Sequence, residues 1–211
     1  MSDHQGSHAH RHPHPKQPDF EDQPFEYYQV MAEAVGELLI EKGVFSAAEL
    51  RKTVESIDSR SPADGARVVA RAWLDPAYKK RLLKDANAAA GELGIDAGTI
   101  PIKVVENTED LHNVICCTLC SCYPRLLLGL PPDWYKARAF RSRIVREPRA
   151  VLREFGTDIP ENVELRVHDS TADLRYMVLP KRPEGTDGLS EVELAALVTR
   201  DCMIGTALVH A

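Results

Sequence analysis

The sequence has 211 residues, of which 44% are hydrophobic and 27% charged, with a net charge of -6 at pH 7. This length and composition can bury one substantial core, and the negative charge argues against nucleic acid as the main partner. No apolar run approaches the roughly 18 residues of a membrane span, and the N-terminus lacks the apolar core of a signal peptide. We therefore expect a cytoplasmic protein that has no membrane partner.

Residues 1–24 are polar, contain several prolines and carry a cluster of histidines. Such a segment cannot bury enough apolar surface to order itself, so it is predicted to be a disordered, His-rich tail. The histidines could capture a divalent metal for delivery, or they could simply be solvated. They are His4, His8, His10, His12 and His14.

Residues 25–99 are predicted to form a helical N-terminal region. Apolar residues recur at helical spacing over 25–40, which indicates an amphipathic helix. Later helices are predicted to start at Ser46, at Ser61-Pro62 and at Asp75-Pro76, the last running to about Gly91 or Gly94. We expect the apolar faces of this arm to pack against the rest of the chain or against a partner subunit.

Residues 100–211 mix strand and helix signals and are predicted to form an α+β domain. Strands are predicted over 102–105, 114–116, 163–167 and 174–179, because these runs are rich in β-branched and other apolar residues. A helix over 137–155 is expected, with Pro148 as a kink. The capping box of Ser190 and Glu193 predicts a last helix through about Arg200.

Three cysteines lie within six residues directly after the second predicted strand. A disulfide between Cys120 and Cys122 would be strained, and one between Cys117 and Cys120 would leave the third sulfur without a role. Three thiolates on one metal ion use all three sulfurs. The backbone nitrogens of Ser121 and Cys122 lie in the same short loop and could join as ligands if a trivalent ion displaced their protons. Alternatives are an iron-sulfur cluster or a zinc site completed by His112 or Cys202.

The segments around this loop form a recognisable set. The loop Cys117-Thr118-Leu119-Cys120-Ser121-Cys122 is followed by Tyr123-Pro124 and Gly129-Leu130-Pro131-Pro132-Asp133-Trp134-Tyr135-Lys136, and preceded by Glu106-Asn107-Thr108 and His112-Asn113-Val114. Further segments are Arg146-Glu147-Pro148-Arg149, Arg175-Tyr176-Met177-Val178-Leu179-Pro180 and Val198-Thr199-Arg200-Asp201. With these segments, residues 66–207 resemble the α subunit of nitrile hydratases. The resemblance implies layered helices that enclose two sheets.

The resemblance also implies a reaction, the conversion of a nitrile to an amide at a low-spin, non-corrin Co(III) centre. Thr118 favours cobalt over Fe(III), because cobalt members of the family tend to carry Thr at this position. Cys117 would be the axial thiolate, Cys120 a sulfinic acid and Cys122 a sulfenic acid. The Cys122 oxygen, or a water molecule, would attack the nitrile carbon, and Ser121 could hydrogen-bond the reacting group.

By the same resemblance the chain would work in a hetero-oligomer. A β subunit, single or split into two chains, would supply arginines to the oxidised sulfurs, and an activator protein would insert the metal. The basic residues Arg138, Arg141, Arg143, Arg146 and Arg149 could supply such donors instead, although this spacing is more typical of a solvated or salt-bridged face.

One residue departs from the family at the substrate pocket. Nitrile hydratases usually carry Trp after Tyr123-Pro124, whereas this chain carries Arg125, which suits a polar, bulky or anionic substrate. The γ subunit of thiocyanate hydrolase also resembles this chain at Tyr123-Pro124-Arg125. A thiocyanate hydrolase subunit is therefore the second hypothesis, and a metal-carrier protein is the third.

Overall fold

The structure is a computed structural model that describes residues 27–211. In this part of the chain the elements are α1 (Tyr27–Glu41), α2 (Ala47–Asp58), α3 (Ala63–Leu74), α4 (Pro76–Lys84), α5 (Ala86–Glu92), β1 (Ile102–Glu106), β2 (Leu111–Cys116), α6 (Arg125–Leu128), α7 (Asp133–Lys136), α8 (Arg138–Ile144), α9 (Pro148–Glu154), β3 (Glu164–Asp169), β4 (Arg175–Leu179), α10 (Glu191–Leu197) and α11 (Arg200–Ile204). The fold is α+β, as predicted. The predicted tail over 1–24 lies outside the described residues. None of the helices described has the length and apolarity needed to cross a membrane.

The four strands form two separate parallel pairs. β1 pairs with β4, and β2 pairs with β3 in a register that sets Cys116 opposite Asp169. In a parallel pair the carboxyl ends of both strands lie at the same edge. The segment that follows β3 is therefore held beside the segment that follows β2, which contains the cysteine loop.

Helix α3 contributes a buried face to the core and contacts α6, which follows the cysteine loop. Its buried face consists mostly of small and β-branched residues, Gly65, Ala66, Val68, Val69, Ala70 and Ala72. A Cβ atom at Gly65 would lie 2.7 Å from Leu128 of α6 and 2.8 Å from Met203 of α11. The glycine thus allows α3, α6 and α11 to pack closely.

Helices α1 and α2 contain no buried residue. Ser46 caps α2 through a reciprocal pair of hydrogen bonds with Glu49, as its sequence predicts. Several large apolar side chains of the two helices are exposed: Val30, Met31, Val35, Leu38, Leu50 and Val54. The proposal that these faces pack against a partner stays a prediction.

The prediction of one long helix after Asp75-Pro76 was wrong, because the chain breaks at Asp85. This residue is extended, with φ -150° and ψ 97°, and its carboxylate accepts from the backbone nitrogen of Ala88 at 3.0 Å. Two residues later, the Asn87 amide donates to Gly98 O and accepts from Ile102 N. A cap at Asp85 and a contact from Asn87 to the next strand therefore divide the predicted helix into α4 and α5.

The predicted helix over 137–155 is also divided. Glu147 has φ -138° and ψ 54°, and Pro148 begins α9 instead of kinking a continuous helix. The proline ring disfavours helical backbone at the residue before it, which accounts for the break. The last helix likewise ends at Leu197, and Thr199 caps the separate helix α11 through Cys202 N.

Candidate metal centre

The three predicted thiols follow directly from the end of β2. Cys116 is the last residue of that strand, and both Cys116 and Cys117 are 0% exposed. The chain then turns outward, so that Cys120 is exposed and Cys122 is partly buried. The loop thus has one sulfur at its base and two nearer the surface.

The three sulfur atoms converge without a disulfide bond. Cys120 Sγ lies 3.4 Å from Cys117 Sγ and 3.1 Å from Cys122 Sγ, and all three atoms lie within 4.8 Å of one another. A disulfide would require about 2.05 Å. In the described part of the chain, this is the one group of three or more such side chains that could hold a metal ion.

The sulfur separations also bear on the kind of ion. Two sulfurs at about 2.3 Å from one ion are about 3.3 Å apart when the angle at the ion is 90°, and about 3.8 Å apart at the tetrahedral angle. The observed 3.1 and 3.4 Å match the right angle. The three converging thiols form a donor set that suits a soft transition-metal ion.

Asp169 holds the start of the cysteine loop in place. Its carboxylate accepts from the backbone nitrogen of Thr118 at 2.8 Å and from the Thr118 hydroxyl at 2.5 Å. Arg141 also binds the start of the loop. It donates to the Thr118 carbonyl at 3.2 Å and to the Lys136 carbonyl at 2.9 Å. Arg141 is only 8% exposed, so its bonds to the loop are shielded from water.

Tyr135 holds the end of the loop. Its hydroxyl donates to the carbonyl of Cys122 at 3.0 Å, and its ring lies edge-on to that of Tyr123 with centroids 5.1 Å apart. Tyr135 is fully buried and also contacts Trp134 and Phe140. An aromatic cluster thus fixes the position of the Cys122 backbone.

The cysteines in and beside the loop differ in pKa because their surroundings differ. Burial, followed by the hydrogen bond with Cys120, raises the pKa of Cys122 to about 11. The same hydrogen bond lowers the pKa of Cys120. Burial raises the pKa of Cys116 to about 12, so this neighbouring thiol is neutral at pH 7 and packs in the core.

Arg175 is a neighbour of the loop to which the sequence analysis gave no role. Its guanidinium lies close enough to the Cys122 thiol to lower the pKa of that thiol, whereas its Nη1 atom is buried and has no hydrogen-bond partner in the described structure. Asp169 and Tyr135 were likewise not predicted to support the loop. Tyr135 and Arg175 lie in segments that carry the family resemblance, but nothing in the local sequence indicated that any of the three residues contacts the cysteine loop.

The structure does not bring the other candidate ligands to the three sulfurs. Both ring nitrogens of His112 are engaged, one with Asn107 Nδ2 at 3.2 Å and one with Gly205 O at 2.8 Å. The Cys202 thiol donates to Leu208 O at 3.3 Å. A zinc site completed by either residue therefore has no support in the geometry.

The arginines within residues 138–149 make different kinds of contact. Arg141 binds the loop backbone, whereas Arg143 forms ion pairs with Glu147 and Glu154. Arg149 donates to the carbonyl of Ile159. These arginines bind groups of the same chain, which agrees with the alternative interpretation that they form a salt-bridged face.

Two further residues that the sequence assigned to the site are exposed. Ser121, between the two outer cysteines, is exposed. Arg125, the first residue of α6, is also exposed. Both are therefore accessible to a substrate or to a partner protein.

Comparison with known proteins gives consistent matches over most of the chain. The family described as "Nitrile hydratase, alpha chain" matches residues 26–207. The chain is 53% identical over 175 residues to a nitrile hydratase subunit alpha of Rhodococcus sp, a match that covers 82% of this chain and 88% of the relative. It is 49% identical over 175 residues to a cobalt-containing nitrile hydratase subunit alpha of Pseudonocardia thermophila, covering 82% and 86%.

A second kind of enzyme matches as well. The chain is 45% identical over 193 residues to a thiocyanate hydrolase subunit gamma of Thiobacillus thioparus, covering 86% of this chain and 79% of the relative. Among solved structures, a recombinant thiocyanate hydrolase with partially modified cobalt centers superposes with a TM-score of 0.82 at 44% identity, covering 88% and 91%. A mutant Fe-type nitrile hydratase from Comamonas testosteroni Ni1 gives 0.80 at 44%, covering 87% and 91%.

Proposed function

Because the chain belongs to the nitrile hydratase alpha-chain family, we propose that it is the catalytic, metal-bearing subunit of a nitrile hydratase. The overall reaction adds one water molecule to a nitrile, R–C≡N, and gives the amide, R–C(=O)NH2. The observation that carries the proposal is the convergence of the Cys117, Cys120 and Cys122 sulfurs within 4.8 Å of one another.

The proposed metal is low-spin, non-corrin Co(III), held by these three sulfurs and by the backbone nitrogens of Ser121 and Cys122. When bound, it would act as a Lewis acid that makes the nitrile carbon more electrophilic. Thr118 and the cobalt-containing relatives support cobalt, while the Fe-type structure keeps iron as the alternative. The proposed domain of residues 100–211 contains every one of these ligands.

Side chains of this chain would carry out the other steps of the reaction. In the proposed active form Cys120 is a sulfinic acid and Cys122 a sulfenic acid. The Cys122 oxygen would either remove a proton from the water that attacks the nitrile carbon, or attack the carbon itself, in which case a water molecule then breaks the new bond, releases the amide and leaves Cys122 as a sulfenic acid. The exposed Ser121 hydroxyl hydrogen-bonds the reacting group. Asp169 and Tyr135 fix both ends of the loop, so these groups are positioned before the substrate arrives.

We further propose that a partner subunit covers the loop. Leu119, at its tip, is 85% exposed, and Cys120 is exposed beside it. Oxidised, negatively charged sulfurs and an exposed apolar side chain are both stabilised when a protein surface with cationic donors covers them. A β subunit, single or split into two chains, fits this role in a hetero-oligomer. The unpaired thiols suit assembly in the cytoplasm with an activator protein that inserts the metal.

The substrate proposal rests on Arg125. This cation is exposed at the start of α6, three residues after Cys122. A guanidinium at this position favours polar, bulky or anionic substrates over small apolar nitriles. The same residue, with the 45% identity to a thiocyanate hydrolase subunit gamma, supports thiocyanate hydrolysis as the second candidate function.

The test is to produce the chain with its partner subunits and to analyse one preparation in three ways. We expect one cobalt per chain, two oxygens on Cys120 and one on Cys122 in the tryptic loop peptide, and amide production from a nitrile. Carbonyl sulfide and ammonia from thiocyanate would favour the second candidate. Rapid loss of metal to EDTA would favour a metal carrier, and tetrahedral zinc at the sulfurs would overturn the proposal.

A further inference from the structure

Strand β3 has one edge that no other part of the described chain covers. The backbone nitrogen of Glu164 donates to the carbonyl of Asp110, just before β2, at 2.8 Å. Because backbone groups alternate in direction along a strand, the even-numbered residues of β3 turn their N–H and C=O groups toward β2. Leu165 and Val167 turn theirs to the outer side, where neither has a hydrogen-bond partner among the described residues. We call this outer side of Leu165 and Val167 the open edge.

The other three strands differ, because their outer sides are bonded within the chain. Each has an outward backbone nitrogen that donates to a side-chain oxygen of another segment, at 2.8 to 3.2 Å: Ile102 to Asn87, Asn113 to Asn107 and Tyr176 to Ser170. An unpaired strand edge is a template on which another strand can pair. Within the described chain, β3 is the strand that keeps such a template.

The open edge leads to the cysteine loop. Before it, the carbonyl of Val163 is already occupied by the side chain of Arg149, so the free stretch starts at Leu165. After it comes Asp169, whose carboxylate binds the backbone nitrogen of Thr118 at 2.8 Å. A strand that pairs with β3 and continues past Asp169 therefore arrives at the loop.

The side chains of β3 suit a strand that is covered by another chain. All residues of β2 except Leu111 are buried, whereas β3 contains no buried residue. Leu165 and Val167 are half-buried and pack against the core, while the other face of the strand carries Glu164 and Arg166. An added strand with alternating apolar and polar residues would extend both faces.

The side-chain pattern of β3 does not suit pairing with a second copy of this chain. Two antiparallel copies could meet with their two-fold axis at Leu165, Arg166 or Val167. An axis at Arg166 sets two cations directly opposite each other, which is destabilising. An axis at Val167 sets the apolar Leu165 opposite the carboxylate of Asp169. An axis at Leu165 needs the carbonyl of Val163, which already accepts a hydrogen bond within the chain.

We propose that the open edge of β3 receives a strand of the partner subunit, with backbone hydrogen bonds to Leu165 and Val167. The inference rests on the proposed function, since it assigns the occupant to the subunit that covers the cysteine loop. Backbone pairing allows only discrete registers, so the added strand also fixes where the partner subunit meets the loop. The occupant is a segment of alternating apolar and polar residues.

The first test places a proline on the open edge. Val167→Pro removes the outward N–H and fills the outer side with the proline ring, but it keeps the bonds to β2, because these use the even-numbered residues. We expect the Kd of the full chain for the purified β subunit to rise at least about tenfold, the effect of losing one or two backbone hydrogen bonds. Val167→Ala keeps the N–H and loses side-chain packing, so it is the matched control and should bind like the parent. If Val167→Pro does not accumulate as folded protein, Leu165→Pro is judged by the same criteria.

The second test is amide hydrogen exchange of the parent chain, alone and in complex with the β subunit. The amides of Arg166 and His168 bond to β2 and should exchange slowly in both states. Those of Leu165 and Val167 should exchange rapidly in the isolated chain and slowly in the complex. This alternation is specific to strand addition, because general burial of the surface would not distinguish neighbouring amides.

Rapid exchange of Leu165 and Val167 in the complex would overturn the proposal, and so would unchanged binding by Val167→Pro. Self-association of the parent chain that Val167→Pro abolishes would also overturn it, because this result assigns the open edge to a second copy. A complex that protects both amides but converts neither a nitrile nor thiocyanate would support the strand pairing and contradict the proposed function. The two failures are therefore distinguishable.

Discussion

The Asp169 carboxylate binds both the backbone nitrogen and the hydroxyl of Thr118, at 2.8 and 2.5 Å, across 51 positions of sequence. The parallel pairing of β2 with β3 makes this contact possible, because it sets Asp169 opposite Cys116. Thr118, the residue after the predicted ligand Cys117, is therefore held in place by a residue that lies outside the loop. This pair explains how a short, partly exposed loop can keep three sulfurs together.

Replacing Asp169 should loosen the loop and reduce metal loading. Asp169→Ala removes both acceptors, which costs the folded loop about 1–3 kcal/mol. We expect cobalt per chain to fall several-fold, measured by elemental analysis of the purified complex. Asp173→Ala, on the turn between β3 and β4, is the matched control and should retain full loading. Equal cobalt content in both variants would show that the Asp169 contact does not support the site.

Replacing Cys122 should abolish turnover and leave the fold intact. Cys122→Ala removes the proposed reactive oxygen, and we expect nitrile hydration to fall at least about a thousandfold with an unchanged circular dichroism spectrum. The control is Cys116→Ala, which alters a buried cysteine of the core and should retain both metal and activity. Retained activity in Cys122→Ala would remove this residue from the mechanism.

Replacing Arg125 should change substrate preference more than metal content. Arg125→Trp exchanges an exposed cation for an apolar ring three residues after Cys122. We expect kcat/KM for a small apolar nitrile to rise about tenfold relative to that for an anionic or polar substrate, the range that one pocket contact supplies. Parallel assays of the parent and the variant on both substrates measure this ratio. A ratio that stays constant would place Arg125 outside the substrate pocket.

Gly205 should tolerate no side chain, for a steric reason. It has φ +91°, and a Cβ atom there would lie 2.1 Å from the carbonyl oxygen of Asn113. Gly205→Ala should therefore destabilise the protein by more than about 3 kcal/mol in urea unfolding, since backbone must move. Gly156 is the matched control, with φ +80° and nothing within 4 Å. Gly156→Ala should cost only the strain of its backbone conformation, about 1–2 kcal/mol.

His112 should make stability depend on pH in the mildly acidic range. Its Nε2–H donates to Gly205 O, its Nδ1 accepts from Asn107, and burial lowers the pKa of the ring below the ordinary 6.5. The unfolded chain then binds a proton more readily, so the contribution is fully present above pH 6.5 and is lost as the pH falls through 6.5 toward the lower folded value.

We expect the free energy of unfolding to decrease by up to about 1.4 kcal/mol per pH unit from this residue as the pH falls between about 7 and 5.5. His112→Gln should flatten that slope in urea unfolding at several pH values. His168→Gln provides a comparison, because burial and then nearby Arg166 and Lys103 also lower the pKa of His168. An unchanged slope in His112→Gln would mean that another group causes the pH dependence.

Local features of the sequence predicted many helix boundaries. Ser46 and Ser190 cap helices, as expected, and both do so through capping boxes, whose residues are only three positions apart. The break at Asp85 was not predicted, because helical spacing continues across it and the competing contacts of Asn87 lie more than ten residues away. Helix starts were therefore easier to predict than continuity.

The sequence by itself determined which atoms form the candidate centre, because the three thiols lie within six residues and short chain connectivity forces them together. Tertiary structure alone decided what surrounds them. Asp169, Tyr135 and Arg175 reach the loop through strand pairing and core packing, across separations of 13 or more residues. Contacts at such distances depend on how the whole chain folds and leave no periodic signal in the sequence, so the supports of the site could be recognised only in the folded protein.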